Sequence, residues 1–149
     1  MYQRYWAMDR RQEIERIVLG TILNSSKEND YMANCRCCIT ADMFDTEQHQ
    51  EIYKTALQLK SAGMDEVSPF TVWSANQSLA PEYLCELADE WYFELKKYLY
   101  NRQVYYFDTK RNKRYTRVTF DDYINRFMEL VFSNGERNSS TRRSAEPAA

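Results

Sequence analysis

Three cysteines stand close together at Cys35, Cys37 and Cys38, and cysteine thiolates are strong ligands for zinc. His49 and Cys85 are the further residues that could complete a metal site. Zinc sites commonly combine two ligand pairs at matched distances, and no second cysteine pair follows here. Adjacent helical residues also point about 100° apart, so Cys37 and Cys38 are poorly placed to share one ion. We therefore expect no metal and no cofactor, with Cys35 and Cys38 packed as small apolar residues and Cys37 facing water.

The only histidine, His49, has the chemistry of a general base, but no nucleophile motif and no glycine-rich elbow accompany it. Hydrolysis by carboxylates needs two of them converging across a cleft. The acidic pairs of this chain instead fall at predicted helix ends or turns, where they have structural uses. We expect His49 to bond or pack at a helix start, and we predict that the protein is not an enzyme. The acidic pairs are Asp42 and Asp45, Asp89 and Glu90, and Asp121 and Asp122.

The segment 102–117 interleaves cationic and aromatic residues. Cations bind phosphates, and exposed aromatic rings stack on single-stranded bases. The alternative is a solvated helix end whose cations complement the helix dipole while the aromatic rings are buried. The formal net charge of the whole chain is −2, which does not favour nucleic acid in general. The candidate nucleic-acid contacts are Arg102, Lys110, Arg111, Lys113, Arg114 and Arg117.

Aromatic residues are frequent from Trp91 onward, and positions 91, 92 and 93 cover three directions of a helix. One buried face therefore cannot take them all. Exposed Tyr and Trp residues are common anchors at protein interfaces. We expect a partner interface in this region. Its predicted members are Trp91, Tyr92, Leu95, Tyr98, Leu99, Tyr105 and Phe127.

Helices are expected to position these residues. With three Gly and three Pro in 149 residues, the chain has too few turn signals for a β-sandwich or barrel. The apolar residues between Ile14 and Leu23 form a broad helical stripe, which predicts a helix buried on more than one side. Gly63 is placed to end a helix in a left-handed conformation. Capping signals predict helix starts at Thr46, Ser68, Ala80 and Thr119.

Six short motifs follow one another between Glu15 and Ala88. They are Glu15-Arg16-Ile17-Val18-Leu19-Gly20-Thr21-Ile22-Leu23, Ile39-Thr40-Ala41-Asp42-Met43-Phe44, His49 with Ile52, Tyr53 and Ala56, Ser61-Ala62-Gly63, Pro69-Phe70-Thr71-Val72, and Tyr83-Leu84-Cys85-Glu86-Leu87-Ala88. In this order the series resembles the N-terminal domain of DnaB-type replicative helicases over roughly residues 10–108. The chain departs from that family at Ser78-Leu79-Ala80-Pro81, which stands where the family usually has Gly-Gly.

The resemblance implies an all-α, compact bundle of about six or seven helices with a C-terminal helical hairpin near residues 91–132. In the family, this domain packs into a collar on the helicase hexamer through such a hairpin, and it helps recruit the primase and the helicase loader. The ATPase motor of the family is a separate domain. No Gly-x-x-x-x-Gly-Lys-Ser/Thr phosphate loop occurs in this sequence, so the resemblance does not carry helicase activity over.

We predict one helical domain over residues 1–132 and a disordered tail over 133–149, which has too few apolar residues to offset its ordering entropy. The predicted function is a replication-associated module that associates with itself or docks onto a helicase, primase or loader. Two alternatives remain: a small DNA-binding protein of a mobile element that uses residues 102–117 and 142–143, and a zinc adaptor. Neither a signal peptide nor a membrane-spanning apolar run is found, so we expect a cytoplasmic protein.

Overall fold

The computed structural model describes residues 10–95 and 119–145, with side chains described as far as Ser133. Within these ranges six α-helices and one 3-10 helix form an all-α bundle, as predicted, and the only β pairing is an isolated bridge between Ser25 and Val67. None of the described helices is long and apolar enough to cross a membrane. The elements are α1 (Arg11–Ile22), α2 (Tyr31–Cys35), the 3-10 helix (Ala41–Met43), α3 (Glu47–Ser61), α4 (Pro69–Ala75), α5 (Pro81–Glu90) and α6 (Phe120–Ala145).

Helix α1 is the centre of the bundle, because α5, α6 and α3 all pack against it. Ile14, Ile17, Val18 and Ile22 are fully buried, which confirms the broad apolar stripe predicted for this helix. Burying an aliphatic side chain of this size stabilises the fold by about 1.5–3 kcal/mol. Since three helices surround α1, it supplies the largest share of the core to which the other elements attach.

The predicted start and end signals define the middle helices. The side chain of Thr46 accepts a hydrogen bond from the backbone N–H of His49 at 3.2 Å, and Gly63 follows α3 with a φ of +89°. At the start of α4, Ser68 accepts from the N–H of Thr71 at 3.2 Å and its own N–H donates to the Thr71 hydroxyl at 2.9 Å. Both helices therefore begin as local capping chemistry predicts.

The final helix, α6, begins with reciprocal bonds between Thr119 and Asp122, at 2.7 Å and 3.3 Å. It continues to Ala145, beyond the domain boundary that we predicted at residue 132. Extending an existing helix avoids the cost of nucleation, so polar residues that would not start a helix can lengthen one. The division of the chain at residue 132 stays a prediction.

Hydrogen bonds connect the C-terminal end of α1 to the C-terminal end of α5 and to the residues just after it. The Asn24 amide donates to the carbonyl of Gly20 at 2.9 Å and to the carbonyl of Ala88 at 3.0 Å. The backbone N–H of Phe93 donates to the hydroxyl of Thr21 at 2.8 Å. These bonds fix the point at which the chain turns after α5, and this turn carries the predicted interface.

Candidate interaction surface

Residues on both sides of the segment 96–118 meet in one aromatic cluster, formed by Tyr31, Tyr92, Phe93, Phe120 and Tyr123. The ring of Phe93 lies 5.7 Å from that of Phe120 and 6.1 Å from that of Tyr123, and Tyr31 lies 5.6 Å from Phe120. Tilted and edge-on pairs at such distances are favourable aromatic contacts. The described residues on either side of segment 96–118 therefore lie next to each other in the bundle.

Helix α2 supplies Tyr31 to this aromatic cluster. The helix is capped by Asp30, which accepts from the N–H of Ala33 at 3.2 Å and pairs with Lys60 of α3 at 3.1 Å. The hydroxyl of Tyr31 lies 3.0 Å from that of Tyr92. Burial and this hydrogen bond raise the pKa of Tyr31, so the phenol stays protonated. Helix α2 thus contacts the residues just after α5 through the hydrogen bond between Tyr31 and Tyr92 as well as through ring contacts.

Three of the predicted interface residues lie beside this aromatic cluster, and they differ in how far they are buried and in their contacts within the chain. Trp91 is half-buried, with the guanidinium of Arg16 5.4 Å from its ring centre. Tyr92 is half-buried and bonded to Tyr31. Leu95, in the helical turn formed by residues 93–95, is 44 % exposed. Of the three, Leu95 has the largest exposed fraction. Tyr98, Leu99 and Tyr105 lie outside the described residues.

The prediction that Phe127 contacts a partner is corrected by the structure. Phe127 is fully buried, and its ring lies 5.0 Å from that of Phe44 in the core of the single chain. Because α6 packs against α1, its residues Tyr123 and Phe127, one helical turn apart, both face inward. Phe132 of the same helix is 51 % exposed, but it stands about 18 Å along the axis from Phe120. It is therefore not part of the surface around Leu95.

A buried polar network, which the sequence analysis did not predict, connects α1 with α3 and α5. Glu15 of α1 is fully buried, and its Oε1 lies 2.7 Å from Nδ1 of His49. Its Oε2 accepts from Nε of Arg11 at 3.2 Å and from the backbone N–H of Asp45 at 2.9 Å. Three donors thus satisfy one interior carboxylate, as a buried charge requires.

The network continues from His49 to the surface. Nε2 of His49 lies 2.6 Å from the hydroxyl of Tyr83, and the two rings stack in parallel with their centres 5.9 Å apart. Arg16 also hydrogen-bonds the Tyr83 side chain, and burial raises the pKa of Tyr83 while Arg16 opposes the rise. With Nδ1 donating to Glu15, Nε2 accepts the proton of the Tyr83 hydroxyl. In this tautomer the donors run from Arg16 through Tyr83 and His49 to Glu15.

Both ring nitrogens of His49 are engaged inside the bundle, where they connect α3 to α1 and α5. This agrees with the structural role predicted for His49 at the start of α3. The sequence did contain a signal for its partner. Glu15 is a lone carboxylate inside the apolar stripe of α1, flanked by Ile14 and facing the same side as Val18 and Leu19. A charge in that position indicates a buried partner.

The cysteines pack as predicted. Cys35 is buried, Cys38 is partly buried against the core, and Cys37 is exposed. Burial raises the pKa of the Cys35 thiol and that of Cys38. The thiol of Cys38 donates to the carbonyl of Asn34 at 3.7 Å. In the part of the chain that the structure describes, no group of three or more His, Cys, Asp or Glu side chains is placed to hold a metal ion.

The candidate nucleic-acid contacts between Arg102 and Arg117 lie outside the described residues. The charge of the described residues is nevertheless informative. Residues 10–95 and 119–133 contain 18 Asp or Glu and 8 Lys or Arg, whereas segment 96–118 contains one Asp and eight Lys or Arg. An acidic surface repels phosphates, so the net charge of the described residues does not favour nucleic-acid binding.

Comparison with known proteins agrees with this architecture. No curated protein and no solved structure matches the chain. The sequence model of the DnaB-like helicase N-terminal domain matches residues 7–102, a range that contains α1 to α5 and therefore Glu15, His49, Tyr83 and Leu95. Since this match covers more than half of the chain, the protein belongs to the DnaB-like helicase N-terminal domain family, the non-catalytic part of a replicative helicase.

Proposed function

We propose that this protein is a non-enzymatic association module of DNA replication, which binds a second copy of itself or docks onto a helicase, primase or loader. Membership of the helicase N-terminal domain family supports this class of function, because the family is known for oligomerisation and helicase interactions. The contact surface would be built from Trp91, Tyr92 and Leu95, together with Tyr98, Leu99 and Tyr105 of the adjoining segment.

One observation supports this surface above the others. The aromatic cluster holds residue 93 against residue 120, so the 26 residues between them start and finish at one point of the bundle. A stretch with two fixed, adjacent ends is suited to form the hairpin that the family resemblance implies. Leu95 stands exposed at its base. Apolar residues beside a rigid aromatic support lose little side-chain entropy on binding, which favours them as anchors.

The interior network supports a binding role by holding the helices of the bundle together. The Glu15, His49 and Tyr83 side chains use their polar atoms on one another and on Arg11, Arg16 and the backbone of Asp45. They make the bundle stiff in the region where α1, α3 and α5 meet. A stiff bundle holds the base of the segment 96–118 in one orientation, and a preorganised surface binds more tightly than a mobile one.

The test is the solution mass of the full chain, measured by light scattering coupled to size exclusion. The chain is run alone, and then mixed in turn with the replicative helicase, the primase and the loader of the same cell. We expect a mass above that of the 17.9 kDa monomer, or a co-eluting complex. Leu95→Asp should weaken this association by at least about tenfold, because it places a charge in an apolar contact.

Phe70→Asp is the matched control, since Phe70 is 71 % exposed on α4 and is not part of the proposed surface. It should leave the association as it is in the wild type, and circular dichroism should show the same helical content in both variants. A wild-type chain that stays monomeric and elutes separately from all three proteins contradicts the proposed function. Equal weakening by Leu95→Asp and Phe70→Asp contradicts the location of the surface.

A further inference from the structure

Three thiols lie in one tight turn of the chain directly after α2. The backbone N–H groups of Cys38 and Ile39 both donate to the carbonyl of Cys35, at 3.0 Å and 2.8 Å, so residues 35–39 fold closely on themselves. Cys35 is fully buried, Cys38 is partly buried and Cys37 is exposed. The turn therefore presents one thiol to solvent, that of Cys37, and keeps the other two partly or fully inside the bundle.

The side chains of Cys37 and Cys38 contact each other. A hydrogen bond joins the two thiols, and the Cys38 thiol also donates to the carbonyl of Asn34 at 3.7 Å. Burial raises the pKa of Cys38, and the charge of the Cys37 thiolate and the hydrogen bond with Cys37 raise it further. The two sulfur atoms are thus close enough for the state of one to act on the other. Two thiols in contact can together supply the two electrons that a disulfide bond requires.

We propose that Cys37 and Cys38 form a dithiol site that a hydroperoxide oxidises to a reversible disulfide within one chain. Redox-sensitive cysteines are typically accessible to solvent and have a second cysteine beside them. Cys37 meets the oxidant because it is the exposed member, and Cys38 closes the bond because it contacts Cys37. The substrate is hydrogen peroxide or a small organic hydroperoxide. The site uses no contact with a partner protein, so this inference is independent of the association proposed above.

The reaction takes place in two steps. The Cys37 thiolate attacks an oxygen of the hydroperoxide, the O–O bond breaks, and the departing hydroxide or alkoxide takes up the proton that Cys37 released. Cys37 is then a sulfenic acid. The Cys38 thiolate attacks its sulfur, the S–O bond breaks, and the departing hydroxide takes up the proton that Cys38 released. Two thiols and one molecule of hydrogen peroxide thus give one disulfide and two molecules of water, and two electrons pass from sulfur to the peroxide.

The first step prepares the second. While Cys37 is a thiolate, its charge opposes the ionisation of Cys38. A neutral sulfenic acid lacks that charge, so the pKa of Cys38 falls once Cys37 is oxidised, and a larger fraction of Cys38 is the attacking thiolate. Cys35 is less suited to this attack, because it is fully buried and burial raises its pKa well above the usual value. The geometry therefore assigns the second step to Cys38.

A disulfide between these adjacent residues is expected to be easily reduced. Their Cα atoms are about 3.8 Å apart across a trans peptide bond, whereas disulfides usually join Cα atoms about 4.4–6.8 Å apart. The ring that closes is therefore strained, and strained disulfides are the labile ones. This strain favours a modification that small thiols such as glutathione reverse, rather than a permanent crosslink.

The test treats the reduced full chain with hydrogen peroxide, alkylates the remaining thiols and maps the tryptic peptides by mass. Trypsin cuts after Arg36 and Lys54, so Cys37 and Cys38 stay together in peptide 37–54, whereas Cys35 falls in the preceding peptide. We expect peptide 37–54 to carry no alkyl group and to be about 2 Da lighter than its dithiol form. Glutathione should restore both thiols. A disulfide that links peptide 37–54 to the peptide of Cys35 overturns the proposal.

Single substitutions test the two roles. Cys37→Ser should slow the oxidation of peptide 37–54 by at least about tenfold, because the exposed thiol is lost. Cys38→Ser should stop the reaction at the sulfenic acid of Cys37, which a cyclic 1,3-diketone reagent traps. Cys35→Ala and Cys85→Ser are the matched controls, and both should form the disulfide at the rate of the wild type. Circular dichroism should show the same helical content in all four variants.

Two other results would overturn the proposal. Disulfides that form only between chains, or a sulfinic acid on Cys37 of the wild type, would mean that Cys38 does not capture the sulfenic acid. A disulfide that forms as fast in concentrated urea as in the folded chain would mean that the turn contributes nothing. Neither result bears on the association proposed above. Conversely, a chain that stays monomeric but forms this disulfide contradicts the association alone.

Discussion

Gly20 of α1 lies directly against the backbone of Leu87 in α5. A β-carbon at Gly20 would stand 2.2 Å from the Leu87 carbonyl oxygen and 2.9 Å from the carbonyl carbon of Trp91. No ordinary side chain fits in that space, so the two helices approach more closely here than any other residue would allow. Gly inside a helix lowers stability by about 1 kcal/mol relative to Ala. The close approach explains why Gly20 is nevertheless found in the centre of the bundle.

Replacing Gly20 with Ala should therefore lower the free energy of unfolding. The gain in helix propensity, about 1 kcal/mol, is opposed by a backbone clash that forces α1 and α5 apart. Overpacking of a core typically costs about 1–3 kcal/mol, and here the clashing atoms cannot rotate away. We expect a net loss of about 1–2 kcal/mol, measured by urea unfolding followed by circular dichroism. A variant as stable as the wild type, or more stable, contradicts the close packing.

Gly63→Ala is a useful comparison for that experiment. Nothing lies within 4 Å of the β-carbon that it would add, but the φ of +89° is unfavourable for any residue with a side chain. Its expected loss, about 1–2 kcal/mol, arises from backbone strain alone. Gly63→Ala therefore reports backbone strain without a clash, whereas Gly20→Ala reports a clash in an ordinary helical backbone.

The helix ends could be predicted from the sequence, because they depend on interactions between residues that are close in the chain. Thr46, Ser68 and Gly63 act on backbone groups within a few residues of themselves, so their effect depends little on the rest of the chain. Phe127 is different. Its helix and its face could be predicted, but whether that face meets α1 or a partner depends on the packing of distant elements. The prediction that Phe127 contacts a partner was wrong because the sequence alone does not show that α6 packs against α1.

The candidate site was predictable to a similar extent. The aromatic-rich composition after α5 predicts an interface there, which stays a prediction, and Leu95 is exposed at that place. The intramolecular partners of Trp91 and Tyr92 could not be foreseen, because Arg16 and Tyr31 reach them only through the tertiary packing of α1 and α2. The motif that contains Tyr83 was recognised, but not its bond to His49, since no periodicity relates residues 34 positions apart.

Removing the hydroxyl of Tyr83 should weaken the fold without unfolding it. In Tyr83→Phe, Nε2 of His49 loses its donor in the interior, and Arg16 loses an acceptor. An unsatisfied buried acceptor costs about 1–3 kcal/mol. Urea unfolding at neutral pH measures the loss. Tyr92→Phe is the matched control, because the hydroxyl that it removes is bonded to Tyr31, which is only partly buried, whereas the partner of Tyr83 is the buried His49, and it should therefore cost less. Equal losses in the two variants would show that the interior network adds nothing particular.

The pair formed by Glu15 and His49 should behave as a unit in a double-mutant cycle. Glu15→Gln weakens the acceptor of three donors, and His49→Gln removes the ring that joins Glu15 to Tyr83. The summed losses of the two single variants should exceed that of the double variant by about 0.5–3 kcal/mol, as found for residues in direct contact. Additive losses would contradict coupling. Glu13→Gln, which breaks a surface pair with Arg10, should change stability by about 0–1 kcal/mol.

The tyrosines give the protein a predictable response to alkali. Burial raises the pKa of Tyr31, of Tyr53 and of Tyr83 in the folded state above the usual value of about 10. Above that pH the unfolded chain therefore binds fewer protons than the folded one, and the free energy of unfolding falls as pH rises. Phenolate absorbance should appear later on titration of the folded protein than of the urea-unfolded protein. Superimposable curves for the folded and unfolded chain contradict the burial of these phenols.

The cysteines should separate into fast and slow groups when titrated with a thiol-specific disulfide reagent at about pH 8. Cys37 and Cys85 are exposed and should react first, whereas Cys35 is buried with a raised pKa and should react only when the protein opens. Cys37→Ser should remove one fast thiol and leave the slow phase unchanged. Adding urea should make all four react quickly. A fast Cys35 in the native protein would mean that α2 detaches readily, and with it the support that Tyr31 gives to the aromatic cluster.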